Sequence, residues 1–170
     1  AMGIPFWSAY GYPLRVEGRD SLPRLPAGGP YANQVDPHYF TTMGLRLQRG
    51  RLFDERDRTG SQPVAIVNTT FAAHAWPGAD ALGRCIYIRD DDAPCILVVG
   101  IVNDARRDAL VENVSAQYYL PLAQELATGG AEALLVRVPD QMPAILAAVQ
   151  REMLALDGRV RFVRTVPVED

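Results

Sequence analysis

Apolar and polar positions alternate along this chain in short segments. Leu14-Arg15-Val16-Glu17 reads as a short, half-buried strand, and Tyr31 to Val35 as another. Pro63 to Val67 is compact and rich in β-branched residues, which predicts a third strand. Ile96 to Val102 is apolar on both faces, as a central strand would be. Gln117 to Leu120 predicts a strand ended by Pro121, and Leu134 to Val138 and Val160 to Val166 predict two more.

Helical signals are fewer. Asp36-Pro37 opens a short helix that Gly44 closes, with Phe40 and Met43 on one face. Asn68 caps a second helix carrying Phe71, Ala75 and Trp76, and Pro77-Gly78 ends it. The strongest pattern runs from Gln141 to Leu156. There Met142, Ile145, Leu146, Val149 and Met153 form one stripe, with Asp140 as cap and Gly158 as terminator. Strands outnumber helices and the connections are mixed. The predicted fold class is α+β, with mixed β-sheets and a few helices.

The chain has 170 residues, 48% apolar and 22% charged, with a net charge of −3. It can bury a core, which excludes disorder for most of its length. Its longest apolar stretch, Cys95 to Val102, is far short of the ~20 residues that span a bilayer. The acidic balance argues against a nucleic-acid partner. All 17 basic residues are arginine, which reads as a habit of genome composition.

Catalytic signatures are missing. There is no phosphate-cradling glycine loop and no nucleophile elbow, so no cofactor or catalytic residue is assigned. His38 and His74 sit in separate predicted helices, and a hydrolase built on either needs a nucleophile and an orienting carboxylate beside it. Two cysteines and two distant histidines lack zinc-ligand spacing, so no metal is assigned. Asp90-Asp91-Asp92 reads as a solvated hairpin tip rather than a calcium loop. Asp54, Glu55 and Asp57 interleave with Arg51, Arg56 and Arg58 as a self-paired surface turn. Arg106-Arg107 is weak evidence for an anionic partner. Cys85 and Cys95 bracket a strand–turn–strand segment that brings them within disulfide reach, but spacing leaves a bridge and two free thiols both open. The aromatics Trp7, Tyr10 and Tyr12 lie among glycines and prolines, and read either as a core flap or as a partner-contact surface.

Val35 to Gly44, Arg49 to Asp57, Pro63 to Gly78, Leu82 to Arg84, Val98 to Asp104 and Tyr119 to Pro121, taken in that order, resemble the MacB-like periplasmic core domain of ABC-transporter permeases, with a flavour of the duplicated orphan permeases of soil bacteria. Val35-Asp36-Pro37-His38-Tyr39-Phe40, with Met43-Gly44, is similar to that family's helix. Arg49-Gly50-Arg51-Leu52-Phe53 with Asp57 is similar to its turn. Pro63 to Asn68, with Phe71-Ala72 and Trp76-Pro77-Gly78, is similar to its strand–helix unit. Leu82-Gly83-Arg84, Val98 to Asp104 and Tyr119-Leu120-Pro121 follow in the same order.

The resemblance implies two lobes. Residues 1–13 would be a remnant of a porter-like βαβ lobe, 14–108 an inserted sabre-like lobe, and 109–170 the C-terminal half of the porter-like lobe. The first βα unit of that lobe and the flanking transmembrane helices would lie outside this sequence. The implied role is non-catalytic: an extracytoplasmic domain of a bacterial inner-membrane protein transmits ATP-driven motion to a periplasmic adaptor or substrate. ATP hydrolysis is expected on a separate ABC ATPase subunit or domain. An unpaired sheet edge suggests a homodimer. An extracytoplasmic setting is oxidising, which favours a Cys85–Cys95 bridge. The alternatives are a small-molecule or peptide-binding module, with a cleft lined by Trp7, Tyr10 or Tyr118, and a small hydrolase using His38 or His74.

Overall fold

The computed structural model describes residues 11–23, 25–26, 28–88, 92–104, 114–126, 133–138 and 142–156. The chain forms two compact units, Ala1–Leu135 and Val136–Asp170. The first unit holds strands β1 (Leu14–Val16), β2 (Tyr31–Val35), β3 (Leu47–Gly50), β4 (Val64–Asn68), β5 (Cys85–Ile88), β6 (Ile96–Val102) and β7 (Gln117–Pro121). It also holds helices α1 (Tyr39–Thr42) and α2 (Thr69–Ala75), and a 3-10 turn at Leu122–Gln124. All seven strands join one mixed sheet in the order β1-β5-β6-β4-β7-β2, with β3 also on β6. β4 runs parallel to β6, and β2 parallel to β7; the other pairs are antiparallel. The architecture is α+β.

The sheet is buried on both faces, and period-2 alternation sorts its side chains. In β4, Ala65 and Val67 join the core that holds Phe71, Ala75 and Trp76 of the α2 region. Val64 and Ile66 join the opposite core, with Tyr39 and Phe40 of α1 and with Phe53. β7 divides likewise: Tyr118 and Leu120 enter the first core, Tyr119 the second. In the second core the Phe40 ring packs edge-on against Tyr119 at 5.3 Å and against Phe53 at 5.6 Å between centroids. Such edge-to-face contact adds to the gain from burial.

Along β6 the partner changes on one edge. β4 lies on the other edge throughout. β5 pairs with the start of β6, Cys85 opposite Leu97 and Ile86 opposite Ile96. β3 takes over at its end, with Gly50 opposite Gly100. The two backbones meet closely there, and the Arg51 N–H donates to the Val99 carbonyl at 2.9 Å. A Cβ on Gly100 would strike the Arg51 carbonyl oxygen, and one on Gly50 the Val99 carbonyl oxygen. Gly50 also has φ +77°, open to glycine and strained for other residues.

The expected helix after Asp36 begins later than the sequence suggests. Its N-cap is His38, and the Asp36 carboxylate accepts from the His38 N–H at 2.7 Å. Asp36 thus closes an Asx turn ahead of the helix. At Asn68 the expectation holds: its side chain accepts from the Phe71 N–H. β3 had no sequence signal, because all four of its residues are exposed and show no alternation. Leu134 to Val138 forms no strand. Leu134 and Val136 stay 61% and 50% exposed, Leu135 packs on the second core, and no described strand pairs with the segment.

The boundary expected at 108 falls among residues outside the description. The strand beyond it, β7, is paired between β4 and β2. The reason is burial: all five β7 residues are buried, which requires neighbours on both edges and both faces. In the second unit, α3 (Met142–Leu156) carries the predicted stripe, with Ile145, Leu146, Val149 and Met153 half-buried and Leu156 79% exposed. The strand expected at Val160 to Val166 lies outside the described residues.

Replacing Gly100 by Ala sets a methyl group against backbone, and should destabilise the domain by about 2–3 kcal/mol. Urea unfolding measures it; an unchanged midpoint would contradict the close approach of β3 to β6.

Candidate functional site

The β1–β5 ribbon pairs Leu14 with Ile88, Arg15 with Tyr87 and Val16 with Ile86. Leu14, Val16, Ile86 and Ile88 enter the first core. Alternation turns Arg15 and Tyr87 the other way, where the Arg15 guanidinium lies 5.3 Å from the Tyr87 ring centroid in cation–π geometry. Both side chains border a groove of about 720 Å³, together with Tyr12 and Tyr31. Tyr31 begins β2, so the strands at the two ends of the sheet order border the same groove. Gly28 and Gly29 form part of its wall with φ +75° and +89°. A Cβ on Gly28 would meet the Tyr31 hydroxyl.

Several contacts fix the groove's surroundings. The His74 Nε2–H donates to the Pro23 carbonyl at 2.7 Å, and Arg19 donates to the His74 carbonyl at 3.0 Å. Glu17, just past β1, accepts from the Trp76 indole N–H on its carbonyl at 3.1 Å. Its N–H donates to the Cys85 carbonyl at 2.9 Å, and its carboxylate accepts from the Cys85 N–H at 3.2 Å. Cys85 and Cys95 are joined as a disulfide with their Cα atoms 5.1 Å apart, and both are half-buried.

The charged turn after β3 is more structured than a solvated loop. Asp57 is only 4% exposed, and Arg51 grips its carboxylate with two parallel bonds of 2.7 Å. The Asp54 N–H donates to the same carboxylate at 2.9 Å. The bond to Asp57 holds the Arg51 guanidinium above its ordinary pKa. Asp54 is held well below the usual carboxylate range by side-chain and backbone bonds from Arg56. Asp80 is lowered by the two-pronged grip of Arg49, at 2.9 and 2.7 Å. Burial pushes the Tyr119 hydroxyl well up.

Of the residues singled out from the sequence, Tyr12 borders the groove, whereas Trp7 and Tyr10 lie outside the described residues. So do Asp90, Asp91, Arg106 and Arg107. Tyr118 lines no cleft, because it is fully buried in the first core. His38 is exposed, and the His74 ring is engaged by a backbone carbonyl rather than by a nucleophile. Among the described residues no three His, Cys, Asp or Glu side chains converge on a point that could hold a metal, and no helix is long and apolar enough to cross a membrane. Sequence reasoning missed Arg15, Tyr31 and Tyr87. The outward alternation of β1 and β5 marks Arg15 and Tyr87, but nothing local brings Tyr31 beside them.

A mixed-sheet α+β domain is the class these features define. The sequence model of the MacB-like periplasmic core domain matches residues 8–155, and the chain belongs to that family. The family is a transporter permease domain rather than a catalytic one, and lies outside the cytoplasm. A stretch of 73 residues is 33% identical to the macrolide export ATP-binding/permease protein MacB of Haemophilus ducreyi, covering 43% of this chain and 10% of that protein. The periplasmic region of MacB from Actinobacillus actinomycetemcomitans shares the fold, with a TM-score of 0.66 at 19% identity, over 92% of this chain and 67% of that one. A domain of a permease protein from Porphyromonas gingivalis gives a TM-score of 0.58 at 15% identity, over 95% and 76%.

Two outcomes follow for these arginine–carboxylate pairs. Arg51→Lys keeps the charge but loses the planar fork, leaving one Asp57 oxygen short of a partner; the partly exposed Arg51 limits the cost to about 1–2 kcal/mol, read by denaturant unfolding. Asp54 and Asp80, held below their unfolded values, bind fewer protons folded than unfolded. Their contribution is present above about pH 4 and lost as pH falls further. An acid titration of stability should therefore fall less steeply in an Asp54→Asn, Asp80→Asn variant.

Proposed function

We propose that this chain is the extracytoplasmic part of a bacterial inner-membrane ABC-transporter permease, with no chemistry of its own. In this reading, ATP hydrolysis on a separate cytoplasmic subunit or domain moves the permease helices. The domain then carries that motion to a periplasmic adaptor or substrate, in efflux or export. The supporting observation is the family match over residues 8–155, combined with a sheet packed on both faces that is suited to move as a rigid body. The sabre-like and porter-like lobes, an association of two copies, and Trp7, Tyr10 and Tyr12 as a partner-contact surface belong to the same proposal. A Cys85–Cys95 bridge fits an oxidising compartment.

The groove bordered by Tyr12, Tyr31 and Tyr87 favours a second reading, in which the domain itself captures a small molecule or peptide. Its volume lies in the range of ligand sites.

The test is made in the complete transporter. With this domain replaced by a short linker, ATP hydrolysis should continue while export of cargo is lost. Export that survives the replacement would overturn the transmission reading. Cargo that binds the isolated chain, and no longer binds a Tyr87→Ala variant, would favour capture.

A further inference from the structure

From the sheet topology we infer that the Cys85–Cys95 disulfide is a redox-sensitive lock on the β1–β5 ribbon, which opens as a unit when the bond is reduced. Three observations carry this. First, the ribbon is the end of the sheet, and β1 pairs with no strand but β5 among the described residues. Second, β5 is joined to β6 over only two residue pairs, because the rest of that β6 edge is used by the close approach of Gly50 and by β3. Beyond those pairs the Arg84 carbonyl accepts from the Val98 N–H, and the Val98 carbonyl from the Gly83 N–H, each at 2.9 Å. Third, the disulfide crosses this junction, from the first residue of β5 to the residue preceding β6.

The bond closes a loop over a sequence separation of 10, which removes unfolded-chain freedom in favour of the docked ribbon. Cys85 and Cys95 are half-buried and belong to neither core, so a dithiol need not unfold a core to act on them. Reduction transfers two electrons and two protons from that dithiol to Cys85 and Cys95; the dithiol becomes a disulfide and the chain gains two thiols. Leu14, Val16, Ile86 and Ile88 still favour the core after reduction, so the ribbon opens transiently rather than detaching. Because Arg15 and Tyr87 ride on it, the groove changes shape with it. The lock does not depend on the transport reading.

Hydrogen exchange on the full chain, before and after dithiothreitol, tests the idea. Amides of Leu14–Val16 and Cys85–Ile88 should exchange up to about a hundredfold faster when reduced, the factor that loop closure of this length supplies. Those of Val64–Asn68 and Gln117–Leu120 should keep their protection. A Cys85→Ser, Cys95→Ser variant should match the reduced protein. Unchanged ribbon protection, or loss of protection throughout the sheet at once, overturns the lock. Reduction of the intact chain decides the matter if the double variant does not fold.

Discussion

One buried side chain ties the first unit together. Asn68 has no exposed surface, and its carboxamide oxygen accepts both the Phe71 N–H and the Gln117 N–H at 2.9 Å. Its amide donates to the Ser115 carbonyl at 2.9 Å. A single carboxamide therefore ends β4, starts α2 and fixes the entry to β7. Three buried backbone groups depend on it, and each would be costly to leave without a partner. Aspartate could accept but not donate to Ser115, and serine is too short to span the same three groups. The division of side chains into two cores follows from this junction, since it sets the phase in which Tyr118 and Tyr119 face opposite sides.

What was legible in the sequence was local. The strand before Asn68, its cap and the helix beyond were readable because alternation, capping and helical period act over a few residues. The arrangement of the sheet was not. β3 shows no alternation and exists because β6 offers it an edge. Gln117–Pro121 reads as a strand in the sequence, but nothing within it says that its neighbours are β4 and β2. The same limit applied to the groove. Tyr12 was picked out by its aromatic neighbourhood, but Arg15 and Tyr87 are paired by strand register, and Tyr31 arrives from the opposite end of the sheet. The sequence marks Asp57 as part of a self-paired surface turn, but not that the Arg51 fork holds its carboxylate buried.

The absence of lysine also reads differently in the fold. The Arg51 and Arg49 forks each take two bonds on one carboxylate. Arg84 donates to the Asp80 carbonyl at 2.7 Å, lies 6.0 Å from the Trp76 ring centroid, and comes within 3.7 Å of the Glu17 carboxylate. Planar, forked contacts of this kind are what a guanidinium provides and an ammonium does not. Whatever set the composition, the fold uses the geometry of arginine.

The parallel pairing of β2 with β7 has a consequence for the order in which the molecule can assemble. Asn33 and Gln117, hydrogen-bonded across that pair, are 84 positions apart in the chain. At roughly 5–20 residues per second of synthesis, β2 is made about 4–17 s before its strand partner exists. The α2 helix, by contrast, can form as soon as its own residues emerge. The nascent chain therefore carries an unfinished strand, and among the described strands its pairing with β7 closes the longest loop.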